Sequence, residues 1–538
     1  MITHYRDGRI FTASDERWAT SLLVEDGRIV FAGSIADAEK HAPDAEVIGL
    51  DGAFVLPGFV DAHTHLVMMG QAMHKVDLFD ARDVPDIQAR LRAASEADPA
   101  ARHILGRSWL HTALHGEPPS KDIIDAVISD RPVYLDSNDC HSAWVNSAAL
   151  RELGIDSGTP DPIGGRIERD GAGQPTGMLY ETAVTTLVWP HLARGVSDDD
   201  RDKALSAAFD HYLRDGVTSA IDMAMNPEDL ATLDRARRAD GSLPMRVAAH
   251  WLITREESVE ANLRQVREAA RISQVHNGPW LDVVGIKLIL DGVIDSCTAA
   301  MKEPYSDGSH SGPIWDREAL RPVVAEADAL GLQIAMHAIG DEASEIALDA
   351  VEYAIDVNGE KSRRHRIEHL ETVTEENVQR LARLGVVASM QPVHADPAIQ
   401  DNWRAMLGDH RVKRGFPWPE ITDAGAVLAL GSDAPTAPHP PLPNMYIATT
   451  RKSAIDPELP ANLPQYALPM VEALTHATRD AAYSCRWESL TGQLRPGLAA
   501  DFVVLDDNPF ESGAESLREM SVRMTVVNGR VVHGATHR

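Results

Sequence analysis

Cysteine is scarce in this chain. Its 538 residues hold three, Cys140, Cys297 and Cys485. An odd, sparse set builds no disulfide framework and fits a reducing compartment. Positive charge is short as well: 51 Lys and Arg against 81 Asp and Glu leave a formal net charge of -30. Nucleic acid and anionic membranes attract clustered Lys and Arg, so neither is an expected partner. Long apolar runs are missing, and none approaches the roughly 18 residues of a membrane span. The opening residues, Met1 to Asp7, carry neither the basic nor the apolar region of a secretion signal. A cytoplasmic protein is the expectation. Lysines are few beside arginines, so a lysine inside an apolar run is conspicuous.

What is present is an apolar stretch, Ala53 to Val60, that runs into Asp61-Ala62-His63-Thr64-His65. Along an extended strand residues i and i+2 share a side, so His63 and His65 offer two imidazoles to one point. Two ordinary turn histidines are the plain alternative. Seven more apolar strand-like runs follow, separated by amphipathic helical stretches. They begin near Gly216, Met245, Val283, Leu332, His365, Gly385 and Ala426. Eight such units predict a parallel (β/α)8 TIM barrel, with its site at the C-terminal strand ends. A doubly wound sheet would want a Gly-rich phosphate turn early in the chain, and none is found.

Asp26-Gly27 and Asn528-Gly529 sit between β-rich runs at the two ends, as in two-residue hairpins. They predict a small β-sandwich built from both termini, residues 1–55 and 485–538. Between come barrel strand 1 with its metal loop (56–69), an insertion or lid (70–200), and the rest of the barrel (201–484). Long insertions of this kind are usually lids or binding loops.

Polar residues recur where the strands end: His63 and His65 on the first, His337 on the fifth, His369 on the sixth, Asp433 on the eighth. Each has a bland reading alone, as a core histidine, a turn residue or a helix cap. Together, at one barrel mouth, they suit a borderline divalent metal, Zn first, then Mn, Co or Fe. Lys287 lies inside the fourth strand between Ile286 and Leu288. A buried ammonium is costly. Reaction of its neutral amine with carbon dioxide gives a carbamate, an anion with two oxygens that can bridge two metals. Snorkelling out of the sheet is the alternative for this lysine.

In this order the residues resemble the amidohydrolase superfamily, and within it the N-substituted formamide deformylase-like branch, amidohydrolase family 3. The matching segments run from Leu56 to His65, His141 to Ser147, Pro175 to Glu181, Lys287 to Gly292, Met336 to Asp341 and Gly431 to Pro435. The resemblance implies that His63, His65 and Asp433 bind the more buried metal. His337 and His369 would bind a second, with carboxylated Lys287 as the bridge, giving one or two ions, Zn2+ foremost. At one point the chain departs from that branch: Cys297 stands where an Arg commonly precedes Thr-Ala.

The expected activity is metal-dependent hydrolysis of an amide or related C–N bond other than a peptide bond. Asp433 is the expected general base, which takes the water's proton and returns it to the leaving nitrogen, and His394, after the seventh strand, is placed to touch substrate or orient the leaving group. Cys297, at that departing position, is carried as one candidate substrate contact, and in the insertion Trp109, His111, His141, Trp144 and Asn146 are the others, because they combine aromatic faces with hydrogen-bonding tips. Packing within the insertion is the alternative for these. A small-molecule substrate is expected, and a homodimer is carried as the assembly. A metal-dependent decarboxylase on the same barrel, and a metal-binding homologue without catalysis, are the rival readings.

Overall fold

The computed structural model describes residues 2–534. Met1 and residues 535–538, the outer ends of the terminal segments assigned above, lie outside the described residues. The centre is a parallel barrel of β1 (Phe59–Thr64), β2 (Val217–Met225), β3 (Arg246–Leu252), β4 (Leu281–Ile289), β5 (Gln333–Ala338), β6 (Arg366–His369), β7 (Val387–Met390) and β8 (Leu428–Leu430). These hydrogen-bond in chain order, each pair parallel. The eight predicted strands are all there.

Beyond β8 the chain returns to β1 and closes the ring. The amide of Asp433 donates to the His63 carbonyl (2.7 Å), and that of His65 donates to the Ala434 carbonyl (2.9 Å). Closure therefore happens at the site itself. Residues of β1, β5, β6, β7 and β8 are buried at every position. That explains why β5, β7 and β8 read as mostly apolar runs rather than alternating ones: helices cover the outside and side chains fill the inside.

The surrounding helices carry ordinary start and stop chemistry. Asp198–Arg214 begins on Ser197, whose hydroxyl accepts from the Asp200 amide, has Asp198, Asp199 and Asp200 in its first turn, and ends with His211 and Arg214. Glu375–Leu384 starts on Thr374 and stops at Gly385, which takes a left-handed φ of 64°.

Strands from both termini form one hydrogen-bonded sheet of eight. Leu22, Val24 and Ile29 from one end share its core with Phe502, Val504 and Val526 from the other. The sheet is tied to the barrel by a fully buried ion pair, Arg246 Nε to Asp501 Oδ2 at 2.8 Å. Between β1 and β2 lies a separate six-stranded sheet, spanning Val76–Asp77 to Pro175–Glu181, with its own apolar core. No helix among the described residues is long and apolar enough to cross a membrane.

Candidate metal centre

His63 and His65 leave the end of β1 towards Asp433. Both Nε2 atoms lie 3.3 Å from Asp433 Oδ1. What sits behind each ring fixes its tautomer. His63 Nδ1 is 2.7 Å from Glu368 Oε2, and His65 Nδ1 is 2.7 Å from the Met223 carbonyl. Both partners can only accept, because Glu368 is held as a carboxylate: burial opposes its charge, but Arg366 and His63 outweigh burial and hold it well below the usual range. In the neutral form of either ring Nδ1 therefore carries the proton, and Nε2 presents a lone pair. Two lone pairs and a carboxylate oxygen thus converge on one point.

The supporting groups are themselves satisfied. Arg366 grips Glu368 at 2.6 and 3.0 Å and also donates to the Ala62 carbonyl, Ser389 and Ser484, all in the buried interior. Asp61 accepts from the amides of His63 and Ser432 and from the hydroxyls of Ser432 and Tyr212. This pins the end of β1 to the loop bearing Asp433. Gly431 allows the closeness, since a Cβ there would meet the His63 nitrogen at 2.5 Å.

His337 and His369 stand beside this trio. Their ring centres are 4.4 Å apart, and His369 is 4.9 Å from His63. His369 Nδ1 donates to Gln391 Oε1 at 2.8 Å, leaving its Nε2 free as in His63 and His65. His337 is turned the other way, with Nε2 on the Gly292 carbonyl at 3.2 Å. Burial first, then neighbouring cationic groups, keep both rings well below the usual imidazole range, so both are neutral.

Lys287 is 2% exposed. It forms no ion pair within the described residues; its one hydrogen-bond partner there is His63 Nε2 at 3.5 Å. Burial lowers its pKa to about 8, although Glu368 and Asp433 pull the other way. The interior of β4 therefore holds an amine that readily gives up its proton.

His394 and His141 complete a row of imidazoles across the mouth. His141 is 5.0 Å from His337, and His394 stacks on His369 at 5.8 Å with planes 9° apart. Each has its own carboxylate: His394 Nδ1 is 3.1 Å from Glu371, and His141 Nδ1 is 2.6 Å from Glu181. Burial would lower both pKa values, but the carboxylates win. His141 rises to about 9, and His394 also lies above its ordinary value. His394 Nε2 sits 3.6 Å from Asp433 Oδ2.

The other predicted contacts fall elsewhere. Trp144 donates to the Ser120 carbonyl and Trp109 to the Leu135 carbonyl, and their rings meet at 5.5 Å in the insertion core. Asn146 caps the helix Ser147–Leu153 and spends both amide hydrogens on the Ile128 and Arg131 carbonyls. His111 packs edge-on to Trp109 at 4.7 Å, with no partner for its Nε2 among the described residues. Cys297 follows β4 and points its thiol at the Met406 sulfur, 3.1 Å away. None of these five is brought into the imidazole row. Residues given no role in the site beforehand are Glu181, Glu371, Gln391 and Asp291. Buried Asp291 gathers the amides of Ala300, Ile339 and Gly340 and ties the loop after β4 to that after β5.

Comparison with known proteins shows the family of the chain. The model of the Amidohydrolase family matches residues 46–533. The Bacillus subtilis protein YtcJ is 33% identical, covering 98% of this chain and 99% of its own. The N-substituted formamide deformylase of Arthrobacter pascens is 29% identical over 95% and 94% of the two chains. A crystal structure of a metal-dependent hydrolase from Pyrococcus horikoshii superposes with a TM-score of 0.74 at 26% identity, covering 99% and 100% of the two chains. The chain belongs to the amidohydrolase family.

Proposed function

We propose that this protein is a metal-dependent hydrolase of an amide or related C–N bond, other than a peptide bond, in a small molecule. The observation that carries the proposal is the meeting of the His63 and His65 lone pairs with Asp433 Oδ1, both at 3.3 Å. Acceptors so placed repel one another unless a cation lies between them. The donor set of imidazole nitrogen and carboxylate suits a borderline ion such as Zn2+.

His63, His65 and Asp433 would hold one ion. His337 and His369 would hold a second, and Lys287, as its carbamate, would add two oxygen donors. Such an ion lowers the pKa of a water towards ~7 and polarises a carbonyl. The chain's own residues do the rest. Asp433 divides its oxygens: Oδ1 faces His63 and His65, while Oδ2 faces His394 Nε2. Oδ2 is therefore the atom that takes the proton of the attacking water. His394, whose protonated form Glu371 favours, delivers a proton to the departing nitrogen, and Asp433 restores it. His141, across the row, is a second imidazolium that meets substrate from the insertion side and steadies developing negative charge.

The decisive assay offers N-substituted formamides, N-acyl amines and N-acyl amino acids to the protein with Zn2+ or Mn2+ in 18O-labelled water. Cleavage with one label in the carboxylate product is expected. Turnover without label, or with release of carbon dioxide, would place the protein among lyases. Full activity in protein stripped of metal would remove the ion from the reaction.

A further inference from the structure

A second set of metal-capable donors lies within the insertion, on none of the barrel elements. His103 precedes the strand Ile104–Trp109, Glu152 lies in the helix Ser147–Leu153, and His191 in the helix Trp189–Ala193. The three supply ligand atoms that all lie within 4.8 Å of one another. His103 Nε2 is 3.2 Å and His191 Nε2 3.6 Å from the same oxygen, Glu152 Oε1. A tetrahedral ion with bonds of ~2.0–2.1 Å separates its ligands by about 3.3 Å. The two distances bracket that value.

The side chains are held in place. Tyr134 donates to Glu152 Oε2 at 2.9 Å, and its ring meets that of His103 edge-on at 5.6 Å. Each of the three side chains is 17–20% exposed, which leaves room for a water as fourth ligand. One group competes. Arg102 donates to Glu152 Oε1 at 2.7 Å, but it is 73% exposed and can swing into solvent.

We propose that His103, Glu152 and His191 form a second divalent-metal site, for Zn2+ first, with water completing the shell. Its three ligands come from three separate segments of the insertion. An ion there clamps two helices to the insertion sheet, on the frame that also carries His141.

The test loads the full-length protein with Zn2+, dialyses it, and counts metal per chain by plasma emission. The wild type should hold one more equivalent than a His103→Ala/His191→Ala variant. Zn2+ should raise the wild type's melting temperature by more than the variant's. Arg102→Ala removes the competing cation and should tighten Zn2+ binding severalfold. Should the double variant fail to fold, anomalous diffraction at the zinc edge on wild-type crystals decides. A peak within bonding distance of both Nε2 atoms supports the site, whatever the barrel mouth contains. An empty map there, or equal metal content in variant and wild type, overturns it.

Discussion

His65 and Asp433 face each other acceptor to acceptor. The His65 Nδ1 proton is committed to the Met223 carbonyl, so Nε2 turns its lone pair on Asp433 Oδ1 from 3.3 Å. Without a metal, a proton is the remaining cation for this gap. Burial opposes that proton, but Asp433 and Asp222 outweigh burial and raise the His65 pKa. Metal and proton therefore compete for one nitrogen. Zn2+ affinity should fall as pH drops through the raised pKa, with proton release on binding. Calorimetric titrations in buffers of different ionisation enthalpy would measure both. An affinity that stays flat from about pH 5.5 to 8, with no proton released, contradicts the assignment.

Asp433→Asn keeps the shape of the side chain and removes its basicity. A positioned general base contributes ~10²–10⁴ in rate, so kcat should fall by about that factor. Most metal should stay bound, because His63 and His65 are untouched. His394→Gln should cost less with substrates whose leaving amines are weakly basic than with strongly basic ones. Equal losses across a leaving-group series would remove His394 from the proton-donating role.

The barrel was legible because its strands are apolar on both sides and end in polar residues. His63, His65, His337, His369 and Asp433 announce themselves by ending such runs, and Lys287 by interrupting one. Glu371 and Glu181, behind His394 and His141, left no local trace of those pairings. Glu371 partners a histidine 23 residues away, and Glu181 one 40 residues away, so only the folded chain joins them. Arg366 and Glu368 were within reach, since i and i+2 on a strand share a side. Trp109, Trp144 and Asn146 show the opposite limit. Aromatic rings with polar tips look the same in a sequence whether they line a pocket or pack a core, and here they pack the insertion.

Lys287 tests the carbamate directly. Lowered to about 8, its amine is substantially neutral at mildly alkaline pH and open to carbon dioxide. Metal-free protein reconstituted with Zn2+ should regain activity faster with added bicarbonate than in carbon dioxide-free buffer, and faster at pH 8 than at pH 6. Lys287→Met should hold less metal than wild type. Recovery indifferent to bicarbonate, with an intact lysine mass by native mass spectrometry, argues for a plain amine.

Arg366→Met leaves Glu368 as an uncompensated buried carboxylate, both side chains being fully buried in the wild type. Breaking a buried pair from one side typically costs ~3–5 kcal/mol. The variant should melt well below wild type in differential scanning calorimetry. It should also bind metal more weakly, since Glu368 can then no longer hold the His63 ring. A loss under about 1 kcal/mol would show that solvent reaches Glu368 after all.

His141 predicts the alkaline side of the pH profile. Its pKa is raised to about 9 in the folded protein, against ~6.5 in an unfolded chain. A raised histidine contributes stability that is complete below the unfolded value and lost as pH climbs through the folded one. The difference is on the order of 3 kcal/mol at most, and it disappears between about pH 6.5 and 9. The same proton should govern activity if the imidazolium meets substrate. kcat/KM should then decline above pH 9, and that limb should be missing in His141→Gln, which keeps a hydrogen-bond donor but cannot titrate. Glu181→Gln should shift the limb to lower pH, because the carboxylate 2.6 Å away is what sustains the charge. A profile unchanged in both variants would confine His141 to holding the insertion against the barrel.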